Sequence, residues 1–130
     1  MNYLVSDFVI RIKNAALARR KEVILPYSKL NLGIGKVLVK NGFLENIKEE
    51  EKNKKKNLKA TIKFERRQPV LTEIDIISKP SLRIYGGTDA INSLARKGKR
   101  LIIISTNVGV MTGREAKKKG LGGEILFAIW

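Results

Sequence analysis

The sequence predicts an α+β fold, because helical patterns come first along the chain and strand patterns dominate later. Apolar residues recur at helical spacing near the amino terminus, whereas alternating or continuous apolar runs fill most of the remainder. Two runs near the carboxyl terminus, residues 101–104 and 125–130, are uninterrupted and rich in branched residues, which is typical of strands buried on both faces. A length of 130 residues suffices for one globular unit or for two very small subdomains that share a core.

The first half of the chain contains two predicted helices and a hairpin. A helix over residues 6–18 is indicated by an apolar stripe at helical spacing, made of Val5, Phe8, Val9, Ile12 and Ala16. A short strand over residues 22–25 follows, and Ser28 is placed to cap a second helix that ends near Gly42. Alternating residues over 43–48 and 58–65 predict a hairpin with one solvated face, and the charged segment between them, residues 49–57, is expected to be a mobile loop.

The second half is expected to consist mostly of strands. A polar break at residues 66–69 is the expected boundary between two subdomains, residues 1–67 and 68–130. Short strands over 72–78 and 82–85, separated at Pro80, lead to a turn at Gly86 and Gly87 and to at most a short helix over 89–94. Between the two closing strands lies a short helix, for which Thr112 and Glu115 form a capping box and Gly120 supplies a left-handed exit.

The composition favours a binding protein over an enzyme. A net charge of +15, from 27 basic and 12 acidic residues, indicates a polyanionic partner, either nucleic acid or an anionic membrane surface. No apolar run approaches the ~18 residues of a membrane span, and the amino terminus lacks a signal-peptide layout, so a cytoplasmic location is expected. The chain has neither cysteine nor histidine, and no pair of acids stands out, so we expect no catalytic residue, no metal, no cofactor and no small-molecule substrate.

Small hydrogen-bonding residues cluster between the two closing strands. Ser105, Thr106, Asn107 and Gly109 follow the first of these strands, and Glu124 begins the second after a glycine pair. These five residues are called the shelf. Hydroxyls and amides held at fixed positions suit ribose hydroxyls, base edges and phosphates. An ordinary turn, in which the hydroxyls bond to their own backbone, explains the same spacing equally well.

Several motifs then give the chain a family resemblance. The stretch S-T-x-x-G-V-M-T-x-R-E-A, followed by G-L-G-G-E and an apolar end, resembles the closing signature of the eighth protein of the bacterial small ribosomal subunit. The P-x-S-K-L segment at 26–30, the G-F step at 42–43 and K-P-x-L-R-x-Y at 79–85 resemble further elements of that family, as does the pattern of Asp7, Arg11, Ile12 and Asn14 in the first helix. The resemblance covers nearly the whole chain and implies two α+β subdomains packed through their sheets, with helices on the outside.

The resemblance also implies a function. It implies a structural constituent of the small ribosomal subunit that binds the central domain of 16S ribosomal RNA and acts in 30S assembly and translation. Neighbouring ribosomal proteins, the fifth among them, would be further partners. The alternative is a translational repressor that binds the messenger RNA of its own operon through the same surface. The candidate RNA-binding residues are Arg11, Lys13, Asn14, Lys29, Arg83, Tyr85, Ser105, Thr106, Asn107, Gly109, Gly123 and Glu124.

Each candidate also has a plainer structural interpretation. The basic residues of the two helices fit solvated helix faces as well as a phosphate-binding ridge. Tyr85 could stack on a base while Arg83 pairs with a phosphate, or the ring could be a half-buried aromatic at a strand end. Glu124 could accept a hydrogen bond from a base amino group, or simply occupy the turn before the last strand. Charge alone would also permit a non-specific DNA-compacting protein.

Overall fold

The computed structural model describes residues 3–79, 82–87, 91 and 100–130. These residues form helices and antiparallel sheets, so the predicted α+β class is confirmed. Contacts along the chain divide it into two compact units, Leu4–Thr72 and Glu73–Trp130. The expected subdomain boundary between residues 67 and 68 lies within the first unit, and the expected packing of two subdomains through their sheets stays a prediction.

The first unit combines two helices with a three-stranded antiparallel sheet. In chain order its main elements are α1 (Tyr3–Leu17), β1 (Glu22–Pro26), α2 (Lys29–Lys40), β2 (Leu44–Lys52) and β3 (Lys55–Ile62). The sheet order is β1-β3-β2, so β3 is the central strand. Every residue of the apolar stripe predicted for the first helix is buried, which confirms the face that α1 turns to the core.

Helix α2 begins and packs as its sequence suggests. The Ser28 hydroxyl accepts a hydrogen bond from the backbone N–H of Asn31 at 2.9 Å, so the predicted cap is confirmed. Gly35 is buried in the middle of the helix, and a Cβ there would collide with the Ile47 side chain of β2. The helix therefore accepts a weak helix former because it gains close contact with the sheet.

The prediction of a mobile loop at residues 49–57 is wrong. β2 continues to Lys52 and β3 begins at Lys55, so only a two-residue turn separates them. Asn53 and Lys54 adopt φ values of 54° and 61°, as a type I′ hairpin turn requires. Residues 49–56 are all exposed and, apart from Asn53, all charged, so they contain no apolar alternation from which strands could have been predicted.

Some cross-strand neighbours of this segment carry opposite charges, although Lys52 lies opposite Lys55. Glu51 lies directly opposite Lys56 in the register of β2 and β3. The Lys59 ammonium lies 2.8 Å from a Glu22 oxygen and 3.7 Å from a Glu50 oxygen. The hydrogen bond to Glu22 and the charges of both carboxylates raise the pKa of Lys59.

The polar break after β3 is itself a small hairpin. β4 (Phe64–Glu65) pairs antiparallel with β5 (Gln68–Pro69). Arg66 and Arg67 form the turn between them, with φ values of 52° and 67°. A second two-residue turn therefore holds two arginines in left-handed conformations.

The second unit is a mostly β unit with one capped helix. In chain order its described elements are β6 (Ile74–Ile76), β7 (Tyr85–Gly86), β8 (Leu101–Thr106), β9 (Gly109–Thr112), α3 (Gly113–Lys119) and β10 (Gly123–Ile129). The antiparallel order is β6-β10-β8-β9, and β7 also pairs with β10. The consecutive residues Ile102, Ile103 and Ile104 are all buried, so the strand is covered on both faces as predicted.

The strands before β8 are shorter than expected. Residues 74–76 of the predicted strand 72–78 form the regular ladder with β10, while Ile77 and Ser78 both donate to the Leu126 carbonyl beyond it. Leu82 makes an isolated bridge to Lys79. Gly86 is not in a turn, because it pairs with Gly123 in the β7–β10 ladder. Two glycines opposite each other let the backbones approach closely, and this long-range pairing overrides the local turn preference. Pro80, and all but Ile91 of the helix expected at 89–94, lie outside the described residues.

Helix α3 has the start and stop signals expected of it. The Thr112 hydroxyl accepts a hydrogen bond from the Glu115 N–H at 3.3 Å, whereas the Glu115 carboxylate meets that hydroxyl at 3.4 Å rather than the backbone. Half of the predicted capping box is therefore confirmed. Gly120 ends the helix with a φ of 66°, and Ala116 faces a core that contains Ile102, Ile104 and Met111.

The Asn53–Lys54 turn predicts a stabilising substitution. Lys54→Gly should raise the free energy of unfolding by up to about 1 kcal/mol, because glycine adopts a positive φ without steric strain. Lys54→Ala removes the same charge but keeps the Cβ, so it should give no such gain. Urea unfolding measures both variants, and equal stabilisation by the two would show that charge and not conformation was responsible.

Candidate RNA interface

Strand β10 sets the arrangement of the predicted interface in the second unit. Glu124 lies directly opposite Ser105 of β8 and opposite Tyr85 of β7. Residues directly opposite each other in an antiparallel sheet share a face. Ser105, Glu124 and Tyr85 therefore form a row across three strands, although they are far apart in sequence.

Gly123 allows the backbones to approach closely beside this row. A Cβ on Gly123 would collide with the Ser105 carbonyl oxygen and would lie 3.1 Å from the Thr106 Cα. The predicted site residue Gly123 thus has a structural reason to be glycine. It fixes the distance between the strands that carry Ser105 and Glu124.

Arg83 and Glu124 form an ion pair that the sequence did not reveal. The Arg83 Nη1 donates to Glu124 Oε2 at 3.0 Å, with side chains 29% and 17% exposed. A charged pair this far out of water is held in one geometry more firmly than a surface pair. In this structure the two side chains contact each other, while the RNA partners expected for them, a phosphate and a base amino group, stay predictions. Glu124 Oε1 accepts no hydrogen bond from the residues that the structure describes.

The rest of the row presents unused groups to solvent. Tyr85 is 67% exposed, so its ring is an open face and not the half-buried aromatic of the plainer interpretation. The half-buried Ser105 makes no side-chain hydrogen bond with any described residue. Together they offer an aromatic surface and a hydroxyl on either side of a carboxylate.

The Thr106 hydroxyl is fully used by its own turn. It donates to the Gly109 carbonyl at 2.8 Å and accepts from the backbone N–H groups of Val108 and Gly109, each at 3.2 Å. A hydroxyl has one donor and two acceptor positions, so none remains for a ligand. The plainer interpretation is therefore correct for this side chain. Thr106 shapes the turn, Gly109 completes it with a φ of 142°, and Asn107 is exposed at its tip.

The remaining candidates lie in the first unit. Arg11 is exposed, with its Nε donating to Asp7 Oδ1 at 3.0 Å and its Nη1 to the Ile24 carbonyl at 3.3 Å. Arg11 and the exposed Asn14 line an open groove between α1 and β1. Lys29 is exposed at the first turn of α2, and Lys13 is half-buried on α1. The register thus assembles the shelf with Tyr85, whereas these four residues are carried by a separate unit.

Sequence reasoning missed one cation beside these residues. Arg20 lines the same groove as Arg11 and Asn14. The run of three basic residues at 19–21 was the available signal, but helical periodicity placed it outside the helix and so away from Arg11. The chain turns back at the end of α1 and brings Arg20 beside the preceding helix.

Comparison with known proteins identifies the family. A family model described as Ribosomal protein S8 matches residues 4–130. This chain belongs to the ribosomal protein S8 family. Similar proteins named small ribosomal subunit protein uS8 include one from Trichormus variabilis, 38% identical over 99% of this chain and 98% of its own length. Another, from Persephonella marina, is 40% identical over 97% of this chain and 96% of its own. A protein named uS8c from Physcomitrium patens is 38% identical over 99% and 98%.

Membership of the S8 family makes this chain a small-subunit ribosomal protein. The resemblance on which the sequence analysis relied is confirmed over nearly the whole chain. The family consists of ribosomal proteins and not enzymes, as the sequence predicted. Among the described residues, no helix has the length and apolar character needed to cross a membrane.

The Thr106 turn predicts a separation between stability and surface chemistry. Thr106→Val should lower the free energy of unfolding by about 1–2 kcal/mol, because three hydrogen bonds that close the turn are lost. Ser105→Ala should leave stability within about 0.5 kcal/mol, because its hydroxyl has no protein partner among the described residues. Thermal unfolding measures both, and a larger loss for Ser105→Ala would contradict these assignments.

Proposed function

We propose that this S8-family chain binds small-subunit ribosomal RNA directly, in assembly and in translation. Its cytoplasmic partners would be the central domain of 16S ribosomal RNA and neighbouring ribosomal proteins, the fifth among them. The row of Tyr85, Glu124 and Ser105 on one sheet face is the observation that carries this proposal. It offers stacking, hydrogen-bond acceptance and a hydroxyl within one rigid sheet, in a chain with a net charge of +15.

The chemistry of the row suits an irregular RNA surface. A-form RNA has a major groove too narrow for side chains, so proteins recognise unstacked bases, ribose hydroxyls and shape. The exposed ring of Tyr85 supplies a stacking surface, and the open Oε1 of Glu124 can accept from a base amino group or a ribose hydroxyl. Ser105 and Asn107 can both donate and accept. Such a mixture discriminates a folded RNA site from a regular duplex.

Arg83 and Gly123 contribute to this site indirectly, because they position Glu124 and Ser105. Arg83 holds the Glu124 carboxylate in place, so Oε1 points to one position instead of sampling several. Gly123 sets the spacing of the strands, and Thr106 and Gly109 hold Asn107 at the tip of its turn. The shelf is thus ordered before RNA arrives, which reduces the entropy lost on binding.

The first unit would contribute affinity through phosphate contacts. Arg11, Lys13, Asn14 and Lys29 provide donors on two helices of that unit. Cations that neutralise phosphates release counterions, which strengthens binding in a salt-dependent way and reads little sequence. Specificity then rests on the shelf, while much of the affinity rests on charge.

The shelf predicts a selective loss of RNA binding. Ser105→Ala combined with Asn107→Ala should weaken binding to small-subunit ribosomal RNA by about 10- to 100-fold, because two hydrogen-bonding groups are lost. Binding to a random RNA duplex should change less than about twofold. Filter binding at fixed salt measures both RNAs. Val108→Ala, at the same exposed turn but with no polar group removed, is the matched control, and an equal loss on both RNAs would refute the shelf as a specificity element.

Tyr85 allows an independent test of stacking. Tyr85→Leu should weaken binding to the ribosomal RNA by about 5- to 100-fold, because base–aromatic stacking contributes about 1–3 kcal/mol per base. Tyr85→Phe keeps the ring and should bind within about threefold of the unchanged protein. Fluorescence anisotropy with labelled RNA measures both variants. A Tyr85→Phe variant as weak as Tyr85→Leu would show that the hydroxyl and not the ring is used.

A further inference from the structure

The strand order of the first unit gathers three loops at one end of its sheet. The central strand β3 ends at Ile62, where Leu44 begins β2 and Glu22 begins β1 opposite Thr61. The loop from α1 to β1, the loop from α2 to β2 and the β4–β5 hairpin therefore all lie at this end. Because neighbouring strands are about 4.8 Å apart, the three connections lie within roughly 10 Å across the sheet.

Six cations lie in two of these connections, the α1–β1 loop and the segment that leads from β3 into the β4–β5 hairpin. We call them the loop-end patch: Arg19, Arg20, Lys21, Lys63, Arg66 and Arg67. Five of them are exposed and Lys63 is half-buried. None makes an ion pair or a side-chain hydrogen bond with another residue in the part of the chain that the structure describes. Of the nearby acids, Glu22 is bound to Lys59, which leaves Glu45 and Glu65 against six positive charges.

One arginine of the patch stands where helices of this protein otherwise use glycine. Gly42 after α2 and Gly120 after α3 adopt positive φ and close the same pair of backbone hydrogen bonds to the last turn. Arg19 closes that pair after α1, with its own N–H to the Ala16 carbonyl and that of the next residue to the Ala15 carbonyl. Its φ is 56°, a conformation that is unfavourable for a residue with a Cβ.

The β4–β5 turn repeats this choice twice. Arg66 and Arg67 both have positive φ in a two-residue turn, where the favoured pair is Asn-Gly. Of the five non-glycine residues with positive φ in the described ranges, three are arginines of this patch. Three arginines in the connections at one end of the sheet therefore have a backbone conformation that lowers the stability of the fold. Backbone strain of this kind is concentrated where a side chain serves a function.

We propose that the loop-end patch is a second RNA-binding surface, which contacts the phosphate backbone of a folded ribosomal RNA segment other than the one held by the shelf. It rests on the proposed function and extends it to residues outside the candidate set. Guanidinium groups bind phosphate oxygens in bidentate fashion, and four of the six cations are arginines. Leu17 is exposed beside the patch at the end of α1, but residues 18–21, 41–43 and 63–69 carry no exposed large apolar side chain, whereas protein interfaces need an apolar centre. Phosphate therefore fits the patch better than an acidic protein surface does.

The strained β4–β5 turn allows a test in which stability and RNA affinity are expected to change in opposite directions. Arg66→Asn with Arg67→Gly installs the favoured turn, so the unfolding midpoint in urea should rise. Affinity for full-length small-subunit ribosomal RNA should fall about tenfold, and the slope of log K against log salt should decrease by about 1.8 for two lost phosphate contacts. Arg19→Gly should also raise the midpoint while weakening binding. A loss of affinity with raised stability cannot come from misfolding.

Matched variants separate the position of the charge from its amount. Arg66→Lys with Arg67→Lys keeps both charges but not the bidentate guanidinium groups, so its affinity should lie between that of the Arg66→Asn, Arg67→Gly variant and that of the unchanged protein. Lys54→Gly with Lys55→Gln removes two cations at the other two-residue turn of the same unit and should weaken binding less than the Arg66/Arg67 variant. Equal losses for these two double variants would overturn the patch, because any two cations would then serve.

A short RNA fragment distinguishes failure of the patch from failure of the proposed function. The fragment is the RNA helix that this protein protects most strongly when no other protein is present. The Arg66→Asn, Arg67→Gly variant should bind this fragment within about twofold of the unchanged protein. Unchanged affinity of that variant for full-length RNA would overturn the patch alone if the Ser105/Asn107 variant still loses affinity. A loss of binding to poly-glutamate without a loss on RNA would assign the patch to an acidic protein and overturn the proposal. If the unchanged protein does not prefer ribosomal RNA to random duplex, the proposed function itself fails.

Discussion

The pairing of β10 with strands on both of its sides is the constraint on which the rest of the interface depends. Gly123 permits close approach to the Ser105 backbone, and Glu124 then lies between Ser105 and Tyr85. Because side chains directly opposite each other share a face, the backbone register alone brings together residues from three separate parts of the chain. The Arg83–Glu124 ion pair adds a side-chain restraint to the same point of the sheet.

In the function proposed for this S8-family protein, positive charge supplies affinity and the geometry of the shelf supplies specificity. The excess of positive charge acts at long range and without regard to RNA sequence, so it can supply affinity but little discrimination. The row on the sheet has few groups, but they are ordered in the free protein and differ in chemistry. The Thr106 hydroxyl closes its own turn, so in the proposed function it would act by holding its neighbour Asn107 in place and not by touching RNA.

Local signals predicted the helices and the closing strands, whereas long-range pairing decided the rest. The apolar stripe of α1, the Ser28 cap and the Gly120 exit were readable because each depends on residues within one or two turns. The strand character of residues 49–57 was not, because it comes from the pairing of β2 with β3 and not from an apolar pattern. In the candidate site, the motif indicated the residues, but only the three-dimensional structure showed that Arg83 binds Glu124 and that the Thr106 hydroxyl is bonded within its own turn.

Directed cleavage of small-subunit ribosomal RNA tests the central claim most directly. The chain has no cysteine, so Val108→Cys at the exposed tip of the shelf turn gives a single attachment point for a hydroxyl-radical reagent. With this protein as the only protein present, the account predicts cleavage confined to nucleotides that flank one protected, irregular RNA helix. Cleavage spread evenly along the RNA, or confined to regular duplex, would contradict recognition by an ordered shelf.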